Sequence, residues 1–323
     1  MKKIKALALI SGGLDSQLAV KVIQLQNIEV EGISFVSPFF GNKDFLKEVA
    51  KTLGIKMHII EVSNDYYRMI VKPKHGYGKA ANPCIDCKIY MLKKAKKFAK
   101  KIGAKFIITG EILGQRPFSQ NKKALMEIAK HSSTENILLR PLSAKLLPES
   151  LPEKRKLIDR EKLYSIKGRS RKEQLKLAKR FGIKKYLQPA GGCLLTEIEF
   201  AKKFFDLIKH KKFLSKQDFE LLKYGRHFRF GNVKIVVGRN KQENEILLKE
   251  FSKNALTFEV LGYGSPITLL IGRKSLKAIE LAAKLTAFYS DCRGKFAEVL
   301  VNGKQHILVE VPTKEFVKNF LIR

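Results

Sequence analysis

The feature that most limits what this chain can fold into is a regular alternation of apolar runs and amphipathic stretches over residues 4–142. "IKALALI" (4–10) is continuously apolar, which predicts a strand buried on both faces. "SQLAVKVIQLQ" (16–26) predicts a helix and "VEGISFV" (30–36) a second strand. "KDFLKEVAKTLG" (43–54) reads as a helix closed by Gly54, and "MHIIEV" (57–62) as a third strand. "PCIDCKIYMLKKAKKFAKKIG" (83–103) is a long helix, apolar on one side and lysine-covered on the other. "KFIITGE" (105–111) and "NILLRPL" (136–142) give a fourth and a fifth strand. Alternation at this spacing predicts the α/β class, a doubly wound, mostly parallel sheet. Ligands bind such sheets at the carboxyl ends of the strands. "SGGLDS", "TGEILGQ" and "RPLS" all follow strands, so they are predicted to share one rim.

"SGGLDS" (11–16) joins the first strand to the first helix. A strand–glycine loop–helix unit binds phosphate because glycines let backbone come close, free N–H groups face the anion, and the helix N-terminus favours negative charge. Ser11 and Ser16 add hydroxyls beside Gly12 and Gly13. Asp15 is the odd member. A carboxylate beside phosphate is repulsive unless Mg²⁺ lies between them, so Asp15 is read as a metal or chemistry residue. The plain alternative for an isolated "SGG" is a serine cap with two turning glycines.

The later chain changes character. Residues 148–190 read as helical and basic, and 197–222 as one or two helices. From 224 onward, "HFRFGNVKIVVGRN" and "LTFEVLGYGSPITLLIG" look like strand pairs, with helices near 241–252 and 275–290. "FAEVLVNGKQHILVEV" predicts a hairpin with Asn302-Gly303 as a type I′ turn. The expected division is therefore 1–147, a basic helical extension over 148–222 that carries Cys193, and a smaller α+β domain over 223–323.

Charge narrows the partners. Lys and Arg number 64 against 30 Asp and Glu, a formal +34 in 323 residues. Such a chain binds polyanions, with nucleic acid the default, unless the lysines only solvate helix faces. The start lacks the apolar core of a secretory signal, and no run of 18 apolar residues occurs, so a cytoplasmic protein with no membrane span is expected. In a reducing compartment its four cysteines suggest metal binding or catalysis rather than a disulfide framework.

Asn82 is expected to cap a helix with Pro83 at its first position, placing Cys84 and Cys87 on one face of the first turns. The helix N-terminus is expected to lower their thiol pKa values. Cys193 lies between glycines and leucines in "AGGCLL". Three readings stand: three thiolates holding an iron–sulfur cluster with one open iron, a redox pair carrying a persulfide, or ordinary buried thiols. Cys292 is a bystander.

"SGGLDS" resembles the pyrophosphatase-type loop (PP-loop) of the N-type ATP pyrophosphatases, with their adenine-nucleotide alpha-hydrolase-like fold; no G-K-[ST] of a Walker loop follows. With "NPCIDCKIYMLKKA", "TGEILGQRPFSQ" and "PAGGCLLTE", residues 1–200 resemble the catalytic part of the tRNA 2-thiouridylases and 4-thiouridine synthetases. The resemblance implies that ATP is cleaved between its α- and β-phosphates, that AMP goes onto a base oxygen of tRNA, and that sulfur displaces it. No THUMP-like or rhodanese-like stretch is read, which leaves the modified nucleotide open. "GNVKIVVGRNKQENEIL" and "GYGSP" resemble the NFACT-R RNA-binding domain.

By that resemblance Ser11, Gly12, Gly13, Asp15 and Ser16 bind ATP with Mg²⁺, and Thr109, Gly110 and Glu111 line the opposite side. Gln115 and Gln120 position the nucleotide or the uracil. Asp15, Cys84, Cys87 and Cys193 carry the chemistry. The three cysteines resemble the ligands of thiolases with a three-cysteine [4Fe-4S] cluster, while the 2-thiouridylase analogy makes Cys193 and Cys84 or Cys87 a persulfide pair. A cysteine desulfurase or free sulfide would supply the sulfur. Arg229, Arg239 and Lys241, together with Arg169 and Arg171, are the expected RNA-backbone contacts. Two rivals remain: adenylation-dependent sulfuration of a small molecule, and a non-enzymatic RNA-binding protein on a relic nucleotide fold.

Overall fold

Lys5–Leu9 (β1) is the middle strand of a five-stranded sheet, and Ala6, Leu7 and Ala8 are fully buried because helices cover both faces. The computed structural model describes residues 4–187 and 192–322, divided into two units, Met1–Ile198 and Glu199–Arg323.

In the first unit β1 leads through the loop into Leu14–Gln24 (α1). Glu29–Val36 (β2), Lys43–Leu53 (α2) and Met57–Glu61 (β3) follow. Next come Asn64–Val71 (α3), Cys84–Ile102 (α4) and Phe106–Thr109 (β4). Lys122–His131 (α5) and the two-residue strand Leu138–Leu139 (β5) complete the sheet. The order is β3-β2-β1-β4-β5 with every pair parallel, so the chain winds out from β1 in both directions. Ala8 lies opposite both Gly32 and Ile108. Gly32 has no room for a side chain: a Cβ there would lie 2.7 Å from the Met57 sulfur and 2.9 Å from Ile10 Cδ1. Gly54 and Gly103 end α2 and α4 in the left-handed conformation, as read from the sequence.

The differences from expectation have physical causes. The first helix starts at Leu14, so Asp15 and Ser16 sit in its first turn rather than in the loop. α3 and α5 were not read from the sequence; α3 carries Tyr66 and Tyr67, whose aromatic bulk hid the helical period. The fifth strand shrinks to two residues: Pro141, two positions past its end, offers no N–H for a ladder and turns the preceding Arg140 out of it.

Residues 148–190 are less helical than their composition suggests. Among the described residues of this stretch the helices are Leu151–Lys154 (α6), Lys172–Arg180 (α7) and one 3₁₀ turn, and much of the remainder is irregular. Ile158, Leu163, Ile166, Leu177 and Ile183 enter the same core as β1 and α1. The 148–198 stretch therefore belongs to the first unit, and the helices after it to the second.

The second unit opens with Ile198–His210 (α8) and Lys216–Leu221 (α9). Arg226–Phe230 (β6), Val233–Val237 (β7), Lys241–Ile246 (α10), Leu256–Val260 (β8) and Thr268–Ile271 (β9) follow. Leu276–Phe288 (α11), Phe296–Val301 (β10), Gln305–Glu310 (β11) and Lys314–Lys318 (α12) end the unit. Its six strands are antiparallel in the order β11-β10-β8-β9-β7-β6. α11 covers one face, burying Ala278, Ala282 and Leu285 against Phe258, Ile235 and Val299. Asn302 and Gly303 turn the β10–β11 hairpin with φ of 51° and 68°, the two positive values a type I′ turn requires. No helix among the described residues is long and apolar enough to cross a membrane.

Candidate active site

The glycine loop is built by close backbone packing. Gly12 has φ +83°, and a Cβ on it would meet the Phe45 ring at 3.1 Å and Leu187 at 3.4 Å. Gly13 caps α1 through its backbone. Residues 185–187 lie alongside: Gly13 and Leu187 form a parallel bridge, and the Leu187 N–H donates to the Gly12 carbonyl at 3.1 Å. Ser16 Oγ donates to the Gly13 carbonyl at 2.8 Å, and Ser11 is exposed on the rim.

Asp15 is mostly enclosed at the start of α1. Burial raises its carboxyl above the ordinary value, opposed by a hydrogen bond from Gln115 and by the charges of Arg171 and Arg116. Gln115 Nε2 donates to Oδ2 at 3.0 Å, while Oδ1 is buried with no hydrogen-bond partner. An orphaned acidic oxygen beside a phosphate-type loop suits a divalent cation, so the donor set fits Mg²⁺. Gly110 packs backbone-on-backbone against this turn: a Cβ on it would lie 2.4 Å from the Asp15 carbonyl carbon and the Ser16 nitrogen.

Thr109 and Glu111, expected to line the site with Gly110, are instead committed to a buried ion cluster. Glu111 accepts from Lys88 at 2.7 Å, from Arg140 at 2.9 Å and from Thr109 Oγ1 at 3.2 Å. Burial pushes its carboxyl up, but the Lys88 and Arg140 charges outweigh this and hold it down at about 2. The cluster ties α4, and so the cysteine motif, to the end of β4. Gln120 is buried, its Oε1 unpartnered, in a loop closed by Gly114 N–H to the Gln120 carbonyl at 2.7 Å.

Cys84 is the first residue of α4, preceded by Pro83 as cap. Asn82 does not cap the helix. Its Oδ1 accepts from the Ala80 N–H at 3.1 Å and its Nδ2 donates to Cys84 Sγ at 3.3 Å, so it braces the preceding turn and touches the sulfur. Cys87 Sγ lies 3.6 Å from the hydroxyl of Tyr66, which is fully buried. Cys193 precedes a short turn whose Leu194 N–H donates to the Phe39 carbonyl at 2.9 Å; residues 188–191 of the "PAGG" run lie outside the described residues.

The three sulfurs lie within electrostatic range of one another and of Tyr66. Cys87 feels both Cys193 and Cys84, Cys193 feels Cys84, and Tyr66 feels all three. The expected lowering at the helix N-terminus is reversed for Cys87, which burial pushes well above the ordinary range. Cys193, outside that helix, is pushed up to about 12, also by burial. Among the described residues, no group of three or more Cys, His, Asp or Glu is arranged to hold a single metal ion.

The Arg116 charge acts on both Asp15 and Cys193, favouring the ionised form of each against the burial that raises them. Arg116, Gln17, Tyr66 and Lys88 were not singled out from the sequence. Lys88 directly follows the second cysteine, and Arg116 lies in "GQRPFSQ", which are the only signals that could have marked them.

The expected RNA contacts fall into two groups. Arg169 and Lys241 are exposed, and Arg171 stands over the Tyr186 ring at 5.8 Å. Arg229 is held by Asp206, Nε donating at 2.9 Å, and Arg239 by Glu243. These two guanidiniums are engaged in structural ion pairs. Cys292 is buried in the second unit.

The parallel sheet and its glycine loop make the first unit an α/β domain of the PP-loop type. Residues 2–145 match the family model described as "Thiamine biosynthesis protein (ThiI)", and residues 225–316 match "NFACT protein RNA binding domain". The two matched stretches correspond to the pairing that the motifs suggested. It is 31% identical over 120 residues to a tRNA-specific 2-thiouridylase MnmA of Sulfurimonas denitrificans, covering 34% of this chain and 35% of that protein. It is 33% identical over 119 residues to a probable tRNA sulfurtransferase of Thermococcus kodakarensis, covering 34% and 30%. The chain spans about a third of the length of these curated relatives. Among solved structures, a 4-thiouridine synthetase–RNA complex with bound ATP is 21% identical, with a TM-score of 0.35 over 55% of this chain and 51% of that one.

Proposed function

We propose that this chain is an ATP-dependent tRNA-uridine sulfurtransferase. The observation that carries the reading is the glycine loop itself: the buried Oδ1 of its acid, Asp15, has no hydrogen-bond partner, and Leu187, on the segment that leads to Cys193, is bridged to Gly13. A phosphate loop alone fits any adenylating enzyme. One accompanied by Cys84, Cys87 and Cys193 fits an enzyme that replaces the activated oxygen with sulfur.

In this reading the N–H groups of Gly12 and Gly13 and the hydroxyls of Ser11 and Ser16 receive the ATP phosphates. Asp15, oriented by Gln115, holds Mg²⁺ through its free Oδ1. When bound, the cation would neutralise charge on the departing pyrophosphate. Donors held in place before reaction stabilise the same charge at no cost of reorganisation. The backbone of Thr109 and Gly110 walls the site, Glu111 steadies it through Lys88, and Gln120 completes the loop that presents Gln115. Lys241, Arg169 and Arg171 grip the RNA backbone, with a smaller share from Arg229 and Arg239, whose carboxylate partners already hold them.

For the sulfur step, Cys84, Cys87 and Cys193 are read as ligands of a [4Fe-4S] cluster. The donor set is all thiol, and each thiolate of a cluster binds its own iron, so the three need not close on one point. Bound there, the cluster would supply an exchangeable iron for sulfide, either free in solution or released by a thiol reductant from the persulfide of a cysteine desulfurase. Tyr66 packs against Cys87 and shields that sulfur from water. The second reading, a persulfide on Cys84 or Cys87 resolved by Cys193, is favoured by the mutual coupling of the same sulfurs.

The test is anaerobic purification with iron and sulfide counts and an optical spectrum, on wild type and on Cys84→Ala, Cys87→Ala and Cys193→Ala. tRNA nucleosides are then analysed by mass after incubation with ATP and either sulfide or a cysteine desulfurase with cysteine. Iron bound by the wild type and lost in each variant, together with a thiolated uridine, supports the cluster reading. Thiolation without iron when a cysteine desulfurase and cysteine supply the sulfur, and none with sulfide alone, transfers the chemistry to the persulfide pair, because sulfide cannot become a persulfide's outer sulfur without an oxidant. Neither thiolation nor tRNA-stimulated pyrophosphate release refutes the enzyme.

A further inference from the structure

Gln17 sits in the second turn of α1, just past the loop motif, and is completely buried at 0% exposure. Its Nε2 donates to the Gly12 carbonyl at 3.2 Å and to the Lys185 carbonyl at 3.0 Å. Both partners are acceptors, so the amide has one workable orientation. The Leu187 N–H donates to the same Gly12 oxygen at 3.1 Å. Two donors from different parts of the chain therefore pull one loop carbonyl inward.

The consequence follows from peptide geometry. The Gly12 carbonyl and the Gly13 N–H belong to one planar trans peptide and point in opposite directions. Holding the carbonyl inward aims the Gly13 N–H outward, to the mouth of the loop. Its contact there is a long one, 3.4 Å to the exposed Ser11 Oγ, which an anion can readily displace. Glycine on both sides makes the opposite orientation accessible: Gly12 already sits at φ +83° and neither residue carries a Cβ to resist a flip. A flipped peptide would turn a carbonyl oxygen toward the phosphates and repel them. The loop sequence alone does not select between these states.

We infer that Gln17 is a positioning residue for the nucleotide: with the Leu187 backbone it locks the Gly12–Gly13 peptide in the orientation that offers its N–H to a phosphate group. The inference rests on the ATP reading above and adds a residue outside the glycine motif. One further observation sets Gln17 apart from ordinary core packing. Its Oε1 is buried without a hydrogen-bond partner, so a packing role would be met as well by an apolar side chain of the same length.

The experiment is calorimetric titration of the full chain with ATP, pyrophosphate and adenosine, for wild type, Gln17→Met and Gln17→Glu. Gln17→Met keeps the volume and removes the donor. Gln17→Glu keeps the shape and sets a carboxylate against the carbonyl. The expected result is that ATP and pyrophosphate bind Gln17→Met about tenfold to a hundredfold more weakly, the weight of one charge-assisted hydrogen bond. Gln17→Glu should lose more, and adenosine, which has no phosphate, should bind all three proteins alike. Unchanged affinity for pyrophosphate in Gln17→Met overturns the inference. So does an equal loss of adenosine, which would mark Gln17 as general scaffold. If the wild type itself binds neither ATP nor pyrophosphate, the ATP reading fails first and takes this inference with it.

Discussion

Replacing Gly110 with alanine would place a methyl carbon 2.4 Å from the Asp15 carbonyl carbon and the Ser16 nitrogen, and 2.5 Å from the Asp15 oxygen. Carbon atoms in comfortable contact lie roughly 3.5–4.0 Å apart, so the shortfall is about 1 Å. All three obstacles are main-chain atoms in the first turn of α1, and no rotamer change moves them aside. The end of β4 and the start of α1 must separate instead. Overpacking of this kind costs about 1–3 kcal/mol, and rigid backbone neighbours put Gly110→Ala near the upper value. For a unit of this size about 3 kcal/mol lowers Tm by roughly 6–12 °C. The displaced atoms carry Asp15, so activity should fall further than stability. A misplacement near 1 Å costs on the order of a hundredfold in rate. Melting by circular dichroism and tRNA-dependent pyrophosphate release, assayed well below Tm, read the two effects separately. A variant that melts within about 2 °C of wild type and turns over normally would refute the close-packing argument.

Asp15→Asn should do the reverse: burial raises the Asp15 carboxyl, so its charged form weakens the folded state above the unfolded value of 3.8, and the amide removes that penalty. Tm should hold or rise while pyrophosphate release disappears; a lower Tm with activity retained would contradict this. Glu111 is depressed from 4.5 to about 2, so its stabilisation is present above pH 4.5 and is lost as pH falls through about 2. Thermal melts from pH 6 to 2 should therefore fall more steeply for wild type than for Lys88→Met, whose melt at pH 7 should already be lower; parallel curves would count against the ion cluster. In the second unit, Asp206→Asn leaves Arg229 and Lys234 without their carboxylate and should cost about 3–5 kcal/mol, read by hydrogen exchange of β6 and β7. Arg169→Gln and Lys241→Gln should each reduce the slope of log affinity for tRNA against log salt by about one, where Arg229→Gln should reduce it less.

Some of this was written in local pattern. The strands 5–9, 29–36 and 57–61 and the helices they alternate with follow from runs of apolar residues and the glycines that end them, because each such signal spans only one element. The Asn302-Gly303 turn was legible for the same reason. α3 was not, since its tyrosines are spaced for packing against α4 rather than along a clean apolar stripe.

The motif residues themselves, the glycine loop with Asp15 and the three cysteines, were legible in the sequence alone as candidates, because those residue types at those spacings serve few other chemistries. What only the tertiary structure decided is how they are held. Gly110 is a contact between two backbones 95 residues apart, at Asp15. Glu111 turns inward because Lys88 and Arg140 arrive from other elements. The thiols of Cys87 and Cys193 are pushed upward by burial among groups that come from other elements. Gln17 finds its partner at Lys185 only once the chain has returned to the loop. Burial, ion pairing and backbone approach are properties of atoms brought together from distant positions, and no local spacing encodes them.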